Sequence, residues 1–585
     1  MKLSRISLAI LPLLSLCSVQ AAVYNVVEIG EVAETSSTYA AAINDNGDTV
    51  FNGAIKGTVR DAITNATKTV FQYYKFPIRL DAIDFEDENV IALFTEEQLS
   101  DVVNGVLNAD TLSILLSRNP SGQPAGFSFG YKQTGEQTGT PLVLRDNALT
   151  KTNSEYLLDI NDSGVVVGLA TAPYEWQDFT PEATEEEPEP ETEQYWVPAL
   201  STQLGMAVVG STTISLLPPF QSFGGGYSVA NAVNNNGLVA GFGSVNLVDE
   251  AAANVEASCT GASEPINLCY YNYHTSGSRS PGLTNQELNG FGYTQRGLLW
   301  QLNGTDVSTP TVLGFLGDKN SQAEHNKEGF KAINYYSKAN DVNLAGIVVG
   351  VSLYSDSDNE ISSDQIYRAE HATLFTETDA LPMIDAKEWL SSSAVGINNN
   401  DVVVGNAEKI INSASRSKMF YYDYGSDSTT HVTGFYNSSI TIASAINDSN
   451  QIVGRGQVII GGTTTPRYHG FIYDIATDTF SDLNSAISCD SPYSIVDAKD
   501  INDNGVILAT ALVSKQQRDV YGEAMLDDAG NPVMEEVAVA VKLQPIPNGE
   551  VENCTTEQTD YERQGGSTGF GSLLIGLLLW WRRKA

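Results

Sequence analysis

Apolar and polar positions along the chain fall into one recurring phrase. It appears at 43–47 (INDNG), 160–164 (INDSG), 233–237 (VNNNG), 342–346 (VNLAG), 397–401 (INNND), 446–450 (INDSN) and 501–505 (INDNG). The shared asparagines are Asn44, Asn161, Asn234, Asn343, Asn398, Asn447 and Asn502. Five copies continue into a β-branched run that ends in glycine, at 168, 241, 350, 405 and 454, while the first and last carry Phe51 and Ala509 there. Three residues after each asparagine stand Gly47, Gly164, Gly237, Gly346, Asp401, Asn450 and Gly505. Glycine, asparagine and aspartate are the types that tolerate positive φ, and no bulky or β-branched residue enters the column. The pattern predicts a left-handed residue closing a tight turn between two short strands. The opening asparagine is expected to bond a backbone N–H inside that turn.

A second phrase follows downstream, a polar residue leading into an apolar strand with an aromatic. Examples are Arg296-Gly297-Leu298-Leu299-Trp300, His371-Ala372-Thr373-Leu374-Phe375 and His469-Gly470-Phe471-Ile472-Tyr473. From Asn343 onward the shared asparagine recurs at intervals of 55, 49 and 55 residues. That is room for about four strands of ordinary length with their turns. Four-stranded units of this period predict an all-β fold, a β-propeller of seven blades, with eight as the alternative count. A pair of stacked β-sandwiches is the rival. The strand at 23–29 is expected to pair with the last strand near 537–543, closing the ring and removing exposed edges.

Earlier intervals are longer, at 117, 73 and 109 residues. The first has room for a degenerate unit near 82–84 or for long loops. The second contains the Pro/Glu run 181–193 (PEATEEEPEPETE), which reads as a disordered acidic loop. The two phrases, in this order, resemble the HAF repeats of extracellular bacterial proteins, His469-Gly470-Phe471 and His371-Ala372 coming nearest. The whole chain resembles exported Gram-negative surface proteins of a family without assigned function, so the resemblance implies an address and a scaffold but no activity.

The two ends read as addresses. Lys2 and Arg5 precede an apolar run at 8–16, with Val19 and Ala21 as small residues before a cut ahead of Ala22. This is the pattern of a signal peptide (1–21) and makes signal peptidase a partner; the run is far short of the roughly 20 residues a membrane-spanning helix needs. Cys17 after Leu16 is the weaker, lipoprotein alternative. At the other end an acidic linker (548–566) leads to Gly565 and Gly566, then a hydrophobic segment (567–585) with Trp580, Trp581 and Arg582-Arg583-Lys584. Aromatics at the interface and cations inside fit a membrane-held tail. Together these parts resemble the GlyGly-CTERM sorting signal, which implies cleavage near Gly565 and Gly566 by a rhombosortase-type intramembrane protease, with surface display or release. A permanent anchor is the alternative.

Composition narrows the partners. Acidic residues outnumber basic ones 71 to 32, a net charge of −39, and losing the five cations of the two ends takes the 22–547 body and linker to about −44. Such a surface repels nucleic acid. Without Cys17, four cysteines remain, Cys259, Cys269, Cys489 and Cys554. An even count in an exported chain predicts two disulfides, with nearest-neighbour pairing preferred among three connectivities.

The search for chemistry finds no catalytic constellation. The Gly-x-Ser-x-Gly at 565–569 lacks the strand and helix of a nucleophile elbow. Five histidines form no HExxH or HxH pair, and His371 with His469 at equivalent repeat positions predicts a structural role. No cofactor is evident; Asn44, Asn46 and Asp48 alternate like calcium ligands, yet the later acidic ligands of such loops are missing. The expectation is a non-enzymatic propeller that binds an extracellular protein, matrix component or glycan. An exported hydrolase or lyase, with carboxylates gathered from different blades, is the competing class.

Overall fold

The computed structural model describes residues 23–552 apart from short internal stretches, the longest at 276–291 and 320–332. Seven antiparallel sheets of four principal strands each, a to d from axis to rim, form seven blades. Their innermost strands are Thr35–Ile43, Glu155–Ile160, Ser228–Val233, Ser337–Val342, Ser391–Ile397, Thr441–Ile446 and Ser494–Ile501. Blades are numbered in that order, so each a–b turn carries one copy of the first phrase. The second phrase is strand c, as in Tyr293–Asn303, Gln365–Phe375 and Arg467–Asp474 of blades 3, 4 and 6.

The ring closes as the end strands predicted. Tyr24–Glu28 is the outer strand of blade 7, running antiparallel to Met534–Pro545 with Tyr24 opposite Pro545 and Glu28 opposite Val541. The count is seven rather than eight, and the sandwich alternative is excluded. The 117-residue interval is filled by an insertion with three helices, Glu88–Ile91, Glu96–Val103 and Ala109–Arg118, and residues 82 and 83 of the suspected extra unit lie outside the described ones.

Apolar cores lie between neighbouring blades. Val167, Ala207 and Leu216 of blade 2 pack on Ala230, Val239, Leu298 and Trp300 of blade 3. The Trp300 indole N–H donates to Leu217 O at 3.0 Å, so its one polar atom is satisfied across the same boundary.

All seven turn residues adopt positive φ, from 59° at Asn450 to 81° at Gly346, and Asp401 sits at 61°. The glycines that end the β-branched runs have a different reason. Every inner strand carries a bulge at the same place, with register shifts at Ala40/Ala42, Leu157/Asp159, Ala230/Ala232, Ala339/Asp341, Ala394/Gly396, Ala443/Ala445 and Ala498/Asp500. The bulge presses a strand-a carbonyl onto strand b. A Cβ at Gly350 would stand 2.0 Å from Lys338 O, and one at Gly454 2.0 Å from Ile442 O.

Loops divide by face. The a–b and c–d turns lie on one face, short and polar. Strand b to c connections lie on the other, and three of them are long, spanning 56–127, 172–202 and 248–292 in blades 1, 2 and 3. They pack into one cap. Trp176 and Trp196 of the blade 2 hairpin (Tyr174–Phe179 paired with Glu193–Pro198) pack with ring centres 4.0 Å apart and planes tilted by 41°, in one core with Val102, Leu112 and Leu115 of the blade 1 helices. From blade 3, Tyr271 meets Tyr174 hydroxyl to hydroxyl at 3.0 Å. The 181–193 stretch is the tip of this hairpin, and strand pairing resumes at Glu193.

Candidate functional site

The recurring asparagines meet at the axis. Each donates its side-chain N–H to the backbone carbonyl of the next one. Asn44 reaches Asn161 at 3.0 Å, Asn161 reaches Asn234 at 3.0 Å and Asn234 reaches Asn343 at 2.9 Å. Asn343 then bonds Asn398 at 3.2 Å, Asn398 bonds Asn447 at 2.9 Å, Asn447 bonds Asn502 at 3.1 Å, and Asn502 returns to Asn44 at 3.0 Å. The circle is closed and all seven side chains are buried. The other end of each amide acts within its own blade, Oδ1 accepting from the backbone N–H four residues on, as Asn398 does from Val402 at 3.0 Å. One side chain therefore closes its turn and fastens its blade to the next.

A second circle runs outside the first. The residue after each asparagine offers its N–H to the side-chain oxygen of its counterpart in the next blade, as Asp503 does to Asp45 and Asp448 to Asp503, both at 2.8 Å. Leu344 breaks this circle. Its N–H reaches Asn399 Oδ1 at 2.9 Å, but its own side chain has no acceptor to offer Asn235. Leu344 is also 42% exposed on a polar rim. Replacing Leu344 by Asn supplies the missing acceptor and is expected to stabilise the fold by about 0.5–1.5 kcal/mol, one net hydrogen bond. Guanidinium unfolding reads this as a raised midpoint at constant slope, and an unchanged midpoint rejects it.

Inside these circles is a basin of about 200 Å³. Asp159 and Asp500 line it, with Asp45, Asp162, Asp448 and Asp503 of the turns. Asp159, Asp341 and Asp500 form one column, each two residues before a ring asparagine, on blades 2, 4 and 7. The other blades put Ala42, Ala232, Gly396 and Ala445 in that column. Each carboxylate accepts two backbone N–H groups, one its own and one from the next blade. Asp159 takes Ile160 and Val233 at 2.8 and 2.7 Å, Asp341 takes Val342 and Ile397 at 2.7 and 2.8 Å, and Asp500 takes Ile501 and Ile43, both at 2.8 Å. Desolvation, opposed by these N–H bonds, raises all three above the usual carboxylate range, Asp341 and Asp500 to about 7, with repulsion from Asp159 adding to both and from Asp500 to Asp341. Sequence reading missed this set. The signal was a charge in three copies of a column otherwise held by alanine and glycine.

The basin offers carboxylates and amides, with no His, Lys or Arg in its lining. Asn44 Oδ1 and Asn46 Nδ2, weighed earlier as calcium-loop positions, are engaged with Asp48 N–H and Asp162 O. Among the described residues no three His, Cys, Asp or Glu groups converge on a metal geometry. His371 is enclosed in strand c of blade 4, its Nδ1 3.3 Å from Ser392 Oγ and its Nε2 3.1 Å from Tyr367 Oη; burial lowers it to about 4. His469 holds Asp482 at 2.8 Å within blade 6.

Of the cysteines, Cys259 and Cys269 form a disulfide that joins helices Asp249–Cys259 and Ile266–Thr275 of the cap. Cys489 is disulfide-bonded, and Cys554 lies outside the described residues, as do the processing positions Ala21, Ala22, Gly565 and Gly566. No described helix is long and apolar enough to cross a membrane, and the tail from 553 onward is not among the described residues.

These features define a seven-bladed β-propeller, sealed by its N-terminal strand, with an amide-ringed axis on one face and a three-blade cap on the other. The chain belongs to the family described as protein of unknown function, DUF3466, whose profile matches residues 1–584. No curated protein matches it. Among solved structures it is similar to TolB from Acinetobacter baumannii at 12% identity and a TM-score of 0.23, over 44% of this chain and half of that one.

Proposed function

We propose that the protein is an exported binding scaffold, displayed at the cell surface or released, that engages a protein partner through the face bearing the b–c connections. The observation that carries this reading is the distribution of exposed apolar side chains. Val103 and Val106 of the cap, Ile361 and Ile410 at the b–c hairpins of blades 4 and 5, and Met525 and Leu526 in the blade 7 connection are all exposed on that face. The opposite face presents Leu344 and Tyr424 among the described residues. Exposed aliphatic groups gathered on one side, within an otherwise strongly acidic surface, mark an interaction surface. A rigid ring suits this use, because partner-facing loops then stand on a scaffold that does not reorganise. The address follows from the N-terminal leader and the Gly565-Gly566 tail read above, with tail cleavage or retention deciding between release and anchoring.

The test is a photo-crosslinking residue placed at Ile410, at Leu526 or at Tyr424 in producing cells. The same adduct is expected from Ile410 and Leu526 and none from Tyr424. Adducts from Tyr424 alone, or from no position, overturn the reading; an adduct sensitive to glycosidase but not to protease replaces the protein partner with a glycan.

A further inference from the structure

The cap contains a second cavity, a cleft of about 380 Å³ between the blade 2 hairpin and the blade 3 helix pair. From its lining we infer that it receives a lysine or arginine side chain presented by a basic, amphipathic peptide segment. This rests on the partner-binding reading and names the chemistry that would be recognised there.

One wall is the outer end of the hairpin, with Asp178, Phe179 and Glu182; the other is the turn between the two cap helices, with Glu264, Pro265 and Ile266. No basic residue contributes to the lining. Two of the carboxylates are aimed by neutral amides: Gln194 Nε2 donates to Asp178 Oδ1 at 2.9 Å, and Asn272 Nδ2 donates to Glu264 Oε2 at 3.3 Å. An amide orients a carboxylate without cancelling its charge, so each is left as a placed anion. Apolar surface lies between them, and Ile266 is 46% exposed. An aliphatic stem resting on Phe179, Pro265 and Ile266 with its cationic head among the carboxylates satisfies both parts of the lining at once. A small anion would be repelled, and a purely apolar ligand would desolvate the carboxylates without compensation.

Both walls are fixed in advance. The Cys259–Cys269 bridge, with Cα atoms 5.7 Å apart, holds the helix turn in shape. Phe179 packs edge-on against Tyr195 at 5.9 Å, in one cluster with Leu268 from the opposite wall. The Tyr174–Tyr271 contact ties hairpin to helix lower down. A cleft of this volume lies in the range of about 300–1,000 Å³ that small-ligand pockets occupy.

The experiment uses the exported protein and a fluorescent eight-residue peptide of alternating lysine and leucine, followed by anisotropy at physiological salt. The expected result is saturable binding that weakens at least tenfold in Asp178→Asn/Glu264→Gln. Glu535→Gln/Glu536→Gln, the same charge change at an exposed site on blade 7, is expected to alter affinity less than twofold. A peptide with norleucine for lysine should not bind. The assignment is overturned if the two double variants weaken binding equally, if the norleucine peptide binds as well, or if the wild type does not bind the peptide. Crosslinking from Ile410 and Leu526 that persists alongside any of these results leaves the partner-face reading standing while removing the cleft; loss of that crosslinking with intact, site-dependent peptide binding does the reverse.

Discussion

Asn398→Asp is expected to destabilise the propeller by about 3–5 kcal/mol, the cost of breaking a buried paired polar site and leaving a charge uncompensated. The Asn398 amide donates to Asn447 O at 2.9 Å and to Asn450 Oδ1 at 2.7 Å, while its oxygen accepts from Asn400 and Val402 N–H at 3.1 and 3.0 Å. Aspartate keeps the accepting half and turns the donating half into an anion facing two acceptors. Asn398→Ala removes both halves without adding charge and should cost less, about 2–3 kcal/mol. Asn400→Asp gives the contrast, because Asn400 uses its amide on Asp448 O at an exposed position, where water compensates. Denaturant midpoints should fall in the order Asn400→Asp, Asn398→Ala, Asn398→Asp. An Asn398→Asp protein as stable as Asn400→Asp would show that the axial circle does not hold the blades together.

The strand carboxylates Asp159, Asp341 and Asp500 carry the second large effect, which depends on pH. Their folded values lie above the unfolded carboxylate value of 3.8, so between the two the folded state binds more protons than the unfolded state. Stability from this source is therefore greatest at low pH and declines as pH rises, the loss being complete once pH passes about 7. Histidines act in the opposite sense. His371 and His274 are lowered to about 4 by burial, so their contribution is whole above the ordinary histidine value of 6.5 and declines as pH falls toward 4. The measurement must separate the two, and a variant does so because both proteins share the histidines. Asp341→Asn gives up one backbone N–H acceptor, a cost that does not vary with pH, and removes one titrating group. Between pH 5 and pH 8 the wild type is expected to lose about 2–4 kcal/mol relative to Asp341→Asn. A difference that stays flat across this window would mean that the carboxylates are already ionised at pH 5.

What could be read from the chain was what local backbone geometry demands. A corner that needs positive φ excludes most side chains, so seven such corners left a visible column from Gly47 to Gly505, and all seven have the predicted conformation. Alternating apolar strands at a regular interval gave the blades, and the apolar segments at the two ends of the folded region gave the closure. The bulges were hidden because register belongs to a pair of strands, and the glycines opposite them looked like strand ends until the facing carbonyl was known. The cap was hidden for a related reason: its helices and hairpin lie in three insertions separated by 117 and 73 residues at their flanking asparagines, and nothing local says that such insertions meet.

By itself the sequence determined the turn, the strand and the number of repeats, because each depends on φ, ψ and side chains a few residues apart. Tertiary structure decided what the repeats do together. Only ring closure brings the amide of Asn502 to the carbonyl of Asn44, residues 458 positions apart in the chain, and only the same closure sets Asp159 and Asp500 on one basin. Hydrogen bonds and charges act over a few ångströms in space, whatever the distance along the chain, so the axis and the cleft exist only in the folded ring.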